Sequence, residues 1–271
     1  MGPSYKTKIQ QKRGLGTKGA YIPWIKVGEF SNMGHSSRIK GLISGREHHF
    51  HSNLEAGLFY MLDLNPKVSD IREQFPLLDI NLAKEIALQA GIKYPHISDN
   101  EPHILTTDFL IDFNDNRQLA ITIKPIQNIT KRQLELFEIE RRYWEANEIK
   151  WIIATESELA SRNYSLNCKD MHNCLRGFIQ EDFQDELLQD IKTQIVDLHP
   201  NLSELTIPKF SSYIDNELGL TFGTTLRFIK SLIAKGLIQT NLETSITKIK
   251  IEHMTLKFNH ETAIGKSDLA A

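Results

Sequence analysis

Cysteine is scarce in this chain of 271 residues, which contains only Cys168 and Cys174. Two cysteines cannot build the disulfide framework that stabilises small secreted domains. Both lie in the segment CKDMHNC with His172, but three candidate ligands at irregular spacing lack the paired Cys-x-x-Cys pattern of a structural zinc site. We therefore expect two reduced thiols rather than a zinc site.

Long apolar runs are also missing. No segment approaches the roughly 18 apolar residues that span a bilayer, and the first residues lack the apolar segment of a signal peptide. These absences predict a cytoplasmic protein with no membrane partner. With 40% hydrophobic and 24% charged residues, the chain has the composition of a globular protein, and its length favours two domains.

The chain has little net charge, −2 overall, but that charge is unevenly distributed. Residues 1–52 hold nine Lys and Arg against two Glu, a net charge of +7, whereas 165–271 hold eleven basic and fourteen acidic residues, a net charge of −3. A basic arm suits phosphate contacts and is equally typical of a solubilising extension. If the arm binds DNA, its candidate contacts are Lys12, Arg13, Lys18, Arg38, Lys40, Arg46, His48 and His49.

Hydrophobic periodicity predicts an α/β unit in the first part of the chain. Helical spacing begins at Ser52 and recurs over 81–92 and 130–148. Strand-like runs cover 106–113, 119–124 and 150–155, and a further short strand precedes the second helix. This order of helices and strands indicates a mixed sheet.

The pattern changes near Arg162 to short helices with polar joints. The segment SITKIKIEHMTLKF, 245–258, alternates like a pair of strands. Three short helices followed by a hairpin match a winged helix. We therefore predict an α/β domain with a basic N-terminal arm over 1–164 and a smaller, mainly α, winged-helix-like domain over 165–271. Positive side chains of the last helix could read DNA, although such charges are usually a solvated face: Arg227, Lys230 and Lys235.

The segment TTDFLIDFNDNRQLAITIKP, 106–125, raises the question of an active site. The polar stretch NDNRQ has the composition of a hairpin turn. If the turn pairs Phe113 with Leu119, Asp108 lies opposite Lys124 on the neighbouring strand. The same register places Thr122 opposite Leu110.

An Asp on one strand and a Lys on the next, near a helix that bears a Glu, is the plan of restriction-endonuclease-like nucleases. Carboxylates hold magnesium there, and the lysine steadies the attacking hydroxide or the phosphate. The competing explanation is an ordinary cross-strand ion pair between Asp108 and Lys124, worth about 0.5 kcal/mol. Asp112 could also replace Asp108 as the acid.

Glu55 has two competing interpretations as well. The string SNLE, 52–55, fits the Ser-x-x-Glu capping box, in which Ser52 caps the helix and Glu55 folds back onto the helix start. Alternatively, the first turn of this helix delivers the Glu55 carboxylate to a metal. The nearby His48 and His49 suit DNA contact or packing better than a magnesium site, which prefers oxygen ligands.

Several strings of the chain carry a resemblance to a known family: YIPW (21–24), SNLE (52–55), DIREQFPLL (70–78), GIKYP (91–95), TTDFLID (106–112), IKP (123–125) and EIERRYW (138–144). Together they resemble the TnsA family, the endonuclease subunits of heteromeric cut-and-paste bacterial transposases. The resemblance is strong over roughly 20–155, and the remainder agrees with the family in its domain plan.

The resemblance implies a restriction-endonuclease-like domain and a winged-helix-like domain. It implies cleavage at the 5′ ends of a transposon, beside a DDE transposase, TnsB, that cuts and joins the 3′ ends. The second domain would contact the AAA+ regulator TnsC, which its mildly acidic charge suits. The protein would be cytoplasmic and would join the bacterial nucleoid when assembled on DNA.

Matched to the family, the catalytic residues fall on Glu55, Asp108 and Lys124. The implied cofactor is Mg²⁺, with Mn²⁺ as a substitute, held by the two carboxylates and the Ile123 backbone carbonyl. Thr122 departs from the pattern, because the family has Gln there and the wider superfamily Glu. A short neutral hydroxyl is a doubtful metal ligand, so one ion is expected rather than two.

Two other functions remain open at this point. The protein could be an adaptor that links the transposase to the regulator, with nuclease activity weakened at Thr122. It could also be a nuclease of the restriction type that acts without partners.

Overall fold

The computed structural model describes residues 2–29, 35–98, 101–157, 159, 161–181 and 183–270. Its contacts divide the chain into two compact units, Met1–Leu159 and Ala160–Ala271. This division lies five residues before the predicted boundary at 164/165, which falls inside the helix Arg162–Gln180. No helix in the described ranges is long and apolar enough to cross a membrane.

In its described part, the first unit combines helices with short and long strands. The helices are α1 Tyr5–Gln10, α2 Asn53–Asp63, α3 Ile80–Gln89 and α4 Lys131–Ala146. The strands are β1 Ser37–Lys40, β2 Glu47–Phe50, β3 Val68–Pro76, β4 His96–Ser98, β5 Glu101–Pro102, β6 Thr106–Phe113, β7 Gln118–Ile123 and β8 Lys150–Ala154.

The central sheet has the strand order β3-β6-β7-β8. The pairs β3/β6 and β6/β7 are antiparallel, and β7/β8 is parallel. The predicted mixed sheet is therefore confirmed. The parallel pair follows from the crossover through α4, since two parallel neighbours need a long connection.

The hairpin register differs from the predicted one by two residues. The loop is shorter than expected: the Phe113 amide donates to the Arg117 carbonyl at 2.9 Å, and Asn116 adopts a left-handed φ of 64°. Asn tolerates this conformation, which a three-residue hairpin loop needs. Leu110 consequently lies opposite Ala120, and continuation of this register places Asp108 opposite Thr122 rather than Lys124.

Two apolar layers cover the sheet. One joins α3 and α4 to Leu110 on β6 and Ala120 on β7. The other is aromatic: Phe59 of α2 lies 4.7 Å from Phe50, ring centre to ring centre, and Phe50 lies 5.8 Å from Phe109 of β6. The start of α2, which bears Glu55, is thereby held close to β6 by burial of large side chains.

The second unit is helical in its described part, with one short two-stranded ribbon. Its strands, β9 and β10, pair antiparallel. The elements are α5 Arg162–Gln180, α6 Asp185–Leu198, α7 Ile207–Glu217, α8 Thr224–Ala234, α9 Lys266–Ala270, β9 Ile238–Gln239 and β10 Thr255–Leu256.

The predicted strand pair within 245–258 is wrong. The segment forms two 3₁₀ turns, Ile246–Lys248 and Ile251–His253, before β10. Its backbone bonds elsewhere: the Ile249 carbonyl accepts from Ile207, and the Ile251 amide donates to Leu205. Alternating apolar residues predict extended backbone but not its partner, and here the partner is the segment that enters α7.

Candidate active site

The first predicted acid, Glu55, lies at the start of α2 and is buried. The Ser52 hydroxyl accepts from the Glu55 amide at 3.1 Å and donates to Glu55 Oε1 at 2.8 Å. The His51 amide donates to Oε2 at 3.0 Å. Glu55 Oε2 also lies 3.5 Å from Nε2 of Gln74 on β3. The carboxylate thus folds back onto the helix start, as a capping residue does, and still reaches into the sheet.

The second predicted acid, Asp108, lies where β6 and β7 separate. Their pairing ends at Phe109 opposite Ile121. Beyond that point the Ile123 amide donates to Asp108 Oδ2 at 2.7 Å, while Gln74 Nε2 donates to Oδ1 at 3.1 Å. The Asp108 carboxylate therefore bonds the Ile123 amide, which lies beyond the paired part of β7. It also shares the Gln74 side-chain amide with Glu55.

Lys124 follows directly after β7. Its backbone amide donates to the Ala154 carbonyl of β8 at 3.0 Å, and its side chain is half-buried. The Ile123 carbonyl, which the resemblance offers as a ligand, belongs to the peptide between the Asp108-bonded amide and Lys124. The Ile123 amide, the Ile123 carbonyl and Lys124 follow one another at the end of β7, and the first of them bonds Asp108.

The electrostatics of these acids favour a bound cation. Burial raises the pKa of Asp108 to about 7, and the charge of Glu55 acts in the same direction, against the Ile123 amide, Gln74 and Lys124. Burial also raises the pKa of Glu55. Since loss of solvent and mutual repulsion both oppose ionisation, a divalent cation would stabilise the charged forms.

A third buried carboxyl, Glu140 of α4, lies outside the predicted site residues. Its Oε1 accepts from Thr107 Oγ1 at 2.6 Å and from Trp151 Nε1 at 3.1 Å, and the Thr122 hydroxyl donates to the same oxygen. Burial raises the pKa of Glu140 to about 7, and the charge of Asp108 contributes to that rise. The acidic cluster is therefore larger than the sequence pattern indicated.

Helical spacing could have identified this residue. Glu140 stands three and four positions before the buried Tyr143 and Trp144 and next to the buried Ile139, so it falls on the apolar face of α4. An acid on such a face needs polar partners. Its partners lie on β6, β7 and β8, which only the tertiary structure reveals.

Thr122 is engaged by the same cluster. Its hydroxyl donates to Glu140 and accepts from Trp151 Nε1 at 3.1 Å. The threonine thus links the strand to a buried carboxyl of α4. No contact of Thr122 in the structure supports its doubtful role as a metal ligand.

Three of the predicted DNA-binding side chains are largely buried and paired with acids. Arg13 is buried and pairs with Glu29 at 2.5 Å. Arg46 and His48 bond Glu73 of β3 at 2.5 and 2.8 Å. We therefore correct the expectation that these three side chains contact DNA. A count of charges treats each of them as solvated, but each is paired with an acid distant in sequence. The other five remain predicted contacts: Lys12, Lys18, Arg38 and Lys40, which are exposed, and His49, which is half-buried.

The donor set at Glu55 and Asp108 fits magnesium. Oxygen ligands are what Mg²⁺ prefers, and it commonly takes one or two carboxylates and keeps several waters. In the described ranges no three His, Cys, Asp or Glu side chains form a group that could hold a metal. Cys168 and Cys174 are both free thiols. Two carboxylates suit one ion better than two.

Comparison with known proteins identifies the family of the chain. A sequence model of the family described as "TnsA-like endonuclease N terminal" matches residues 65–156, the range that contains β3 to β8. The chain is also similar to the Transposon Tn7 transposition protein TnsA of Escherichia coli. The two are 35% identical over 238 residues, which cover 87% of this chain and 84% of that protein.

Proposed function

Since this chain belongs to the TnsA-like endonuclease family, we propose that it is a metal-dependent DNA endonuclease that hydrolyses the phosphodiester at the 5′ ends of a transposon. The observation that carries the proposal is a pair of carboxylates, the buried Glu55 and the half-buried Asp108, which bond one Gln74 amide. The donors that bond them are neutral: two backbone amides, one hydroxyl and the Gln74 side chain. Such a pair is suited to a divalent cation.

Each residue has a distinct role in this proposal. Glu55 and Asp108 would hold Mg²⁺, for which Mn²⁺ would substitute, and the Ile123 carbonyl would add a third oxygen. The ion, when bound, supplies charge neutralisation at the scissile phosphate and acidity to a water molecule. Lys124 orients the attacking hydroxide or the phosphate. Thr122 stays a doubtful ligand, as its bond to Glu140 indicates.

The proposed partners follow from the family. Transposon-end DNA would lie along the exposed positive side chains of the first unit, Lys12, Lys18, Arg38 and Lys40. A DDE transposase, TnsB, would cut the other strand, and the AAA+ regulator TnsC would bind the second unit, for which we propose a winged-helix-like fold. The first unit is proposed to be restriction-endonuclease-like. The assembly would act in the bacterial cytoplasm.

The test is 5′-strand cleavage of transposon-end DNA in an assembly reconstituted with the two partner proteins. Asp108→Ala is expected to lower cleavage by a factor on the order of 10³, comparable to loss of a main electrostatic contribution, and to convert excision into cointegrate formation. Cleavage at the wild-type rate would refute the assignment.

Asp112→Ala is the matched control. Asp112 lies on the same strand and is the alternative acid, but it bonds Arg72 at 2.5 Å and Gln118 at 2.7 Å. We expect this variant to retain cleavage. If Asp112→Ala were inactive and Asp108→Ala active, the acid of the site would have to be reassigned.

An adaptor with weakened nuclease activity is the second candidate, favoured by the bonds that Thr122 makes to Glu140 and Trp151. It predicts that the wild-type assembly makes no 5′ cut. Thr122→Gln would then gain cleavage. A wild-type 5′ cut excludes this alternative.

A further inference from the structure

Gln74 has an unusual backbone for its position in the fold. It lies inside β3, yet its φ is +48°. The other described non-glycine residues with positive φ lie in turns or at the ends of helices: Lys12, Lys18, Asn116 and Glu148. Left-handed backbone is unfavourable for a residue with a Cβ, and strained residues of this kind concentrate at functional sites.

The sheet holds this conformation on both sides. Glu73 pairs with Phe109 and Phe75 pairs with Thr107, so continuity of the register places Gln74 opposite Asp108. The Gln74 carbonyl accepts from the Trp24 amide at 3.2 Å. The strained peptide is thus fixed by neighbours on the sheet and by the N-terminal segment.

The strained backbone aims the side chain at both acids. Gln74 is 5% exposed. Its Nε2 lies 3.1 Å from Asp108 Oδ1 and 3.5 Å from Glu55 Oε2, and its Oε1 accepts from Thr106 Oγ1 at 3.5 Å. A primary amide has two N–H donors, so both can be directed to carboxylates while the oxygen faces a hydroxyl.

We propose that Gln74 is a positioning residue for the proposed metal site, whose neutral amide holds the carboxylates of Glu55 and Asp108 in place before a cation binds. This inference rests on the proposed function. The chemistry of an amide suits the task. A lysine or arginine here would pair with the acids and compete with the metal, and a glutamate would add repulsion. Glutamine orients both acids and leaves their charge for the metal.

The test is Mn²⁺ affinity of the full chain, measured by electron paramagnetic resonance of free Mn²⁺, beside thermal unfolding without metal. Gln74→Met keeps the length of the side chain and removes both donors. We expect its Mn²⁺ Kd to rise by about tenfold or more, the range typical when a group that orients a ligand is removed. An unchanged Kd with a lowered melting temperature would assign Gln74 a structural role only and overturn the proposal.

Gln74→Asn separates affinity from folding. Asn tolerates left-handed backbone, but its amide is one methylene shorter and cannot span both acids. We expect a melting temperature near that of the wild type and a Kd raised about as much as in Gln74→Met. A Kd like that of the wild type would contradict the proposal even if Gln74→Met failed to fold.

Two further variants complete the design. Gln118→Met removes the bond from a glutamine of β7 to Asp112, which lies on the same strand as Asp108. This variant is expected to leave the Mn²⁺ Kd unchanged. Asp108→Ala tests the metal site itself. If Asp108→Ala binds Mn²⁺ like the wild type, the proposed function fails. If only the Gln74 variants bind normally, the positioning role fails and the metal site stands.

Discussion

Two buried acidic clusters lie close together in the first unit and differ in how their charge is balanced. Glu73 is bonded by Arg46 at 2.5 Å and by His48 at 2.8 Å. Burial alone would raise the pKa of Glu73, but these partners outweigh it and lower the pKa to about 2. Within the described residues, the donors that bond Asp108 and Glu55 are neutral, and burial raises the pKa of both carboxyls.

The contrast indicates which cluster serves the fold and which serves a ligand. A buried carboxylate that only supports structure is normally paired, because an unpaired buried charge lowers stability. The Asp108 cluster retains that cost in stability, although it lies close to the paired cluster. Gln74, which bonds Asp108, directly follows Glu73 on β3. Folds tolerate such local conflicts chiefly at functional sites, where a ligand relieves them. Substitutions in one cluster at a time test this distinction.

The largest effect is expected at the paired cluster. Glu73→Ala leaves the Arg46 charge buried without its acid, so the free energy of unfolding should fall by about 3 to 5 kcal/mol in urea denaturation near pH 7. The folded pKa of Glu73 lies below its ordinary value of 4.5, so its stabilisation is present above 4.5 and is lost as pH falls toward 2. The loss of unfolding free energy caused by Glu73→Ala should therefore become smaller as pH falls over that range.

Glu138→Ala is the control for this experiment. Glu138 accepts from Arg141 at 2.9 Å and from Arg142 at 2.6 Å on the surface of α4. Exposed pairs contribute about 0 to 1 kcal/mol. If Glu73→Ala costs no more than Glu138→Ala, the distinction between the two clusters does not hold.

At the Asp108 cluster the dependence of stability on pH should have the opposite sign. With a folded pKa of about 7 and an ordinary value of 3.8, Asp108 binds more protons in the folded state between these values. Its contribution to stability therefore falls as pH rises through this window. Asp108→Asn removes the ionisation, so without metal it should raise the free energy of unfolding at pH 8 by about 1 to 3 kcal/mol.

The same variant should show little gain near pH 4, where the wild-type group is protonated when folded. Denaturant titrations at the two pH values, with a chelator present, give the comparison. A loss of stability at pH 8 would show that the Asp108 charge is already compensated within the protein. Excess Mg²⁺ should stabilise the wild type and not the variant.

A smaller effect is expected where Thr122 supports the third acid. Thr122→Val removes the hydroxyl that donates to Glu140, while Thr107 and Trp151 still bond that carboxyl. Loss of a hydrogen bond to an acidic group should lower the free energy of unfolding by about 1 to 2 kcal/mol. Thr122→Ser keeps the hydroxyl and should cost less, whereas equal losses would show that packing of the methyl group dominates.

Local patterns predicted much of the fold around this site. Helical spacing found α2, α3 and α4 to within three residues, and strand propensity found β6, β7 and β8 to within one residue. These predictions succeed because buried residues recur at regular intervals along each helix and strand. The hairpin register failed by two residues, because it depended on one residue, Asn116, adopting left-handed backbone.

The chemistry of the site was only partly predictable. Asp108 and Glu55 carry a recognisable pattern, and the structure brings both to the Gln74 amide. Gln74 and Glu140 were missed since their roles depend on partners 34 and 18 residues away. The burial of Arg46 escaped notice for the same reason: its acid lies 27 residues on.

The smallest effect tests how α2 supports the Asp108 cluster. Ser52→Ala removes the cap of α2 and the hydroxyl that donates to Glu55. Thr130→Ala removes the cap of α4, whose hydroxyl accepts from Gln133 at 3.2 Å and bonds no acid. Each lost cap should cost about 1 kcal/mol in urea denaturation. Ser52→Ala should cost a few tenths more, since the hydroxyl bond to the Glu55 carboxylate is also lost. That bond is part-buried and contributes less than the buried bond of Thr122 to Glu140. Equal losses would mean that the Ser52 hydroxyl adds nothing to the position of Glu55, which the His51 amide and Gln74 would then hold.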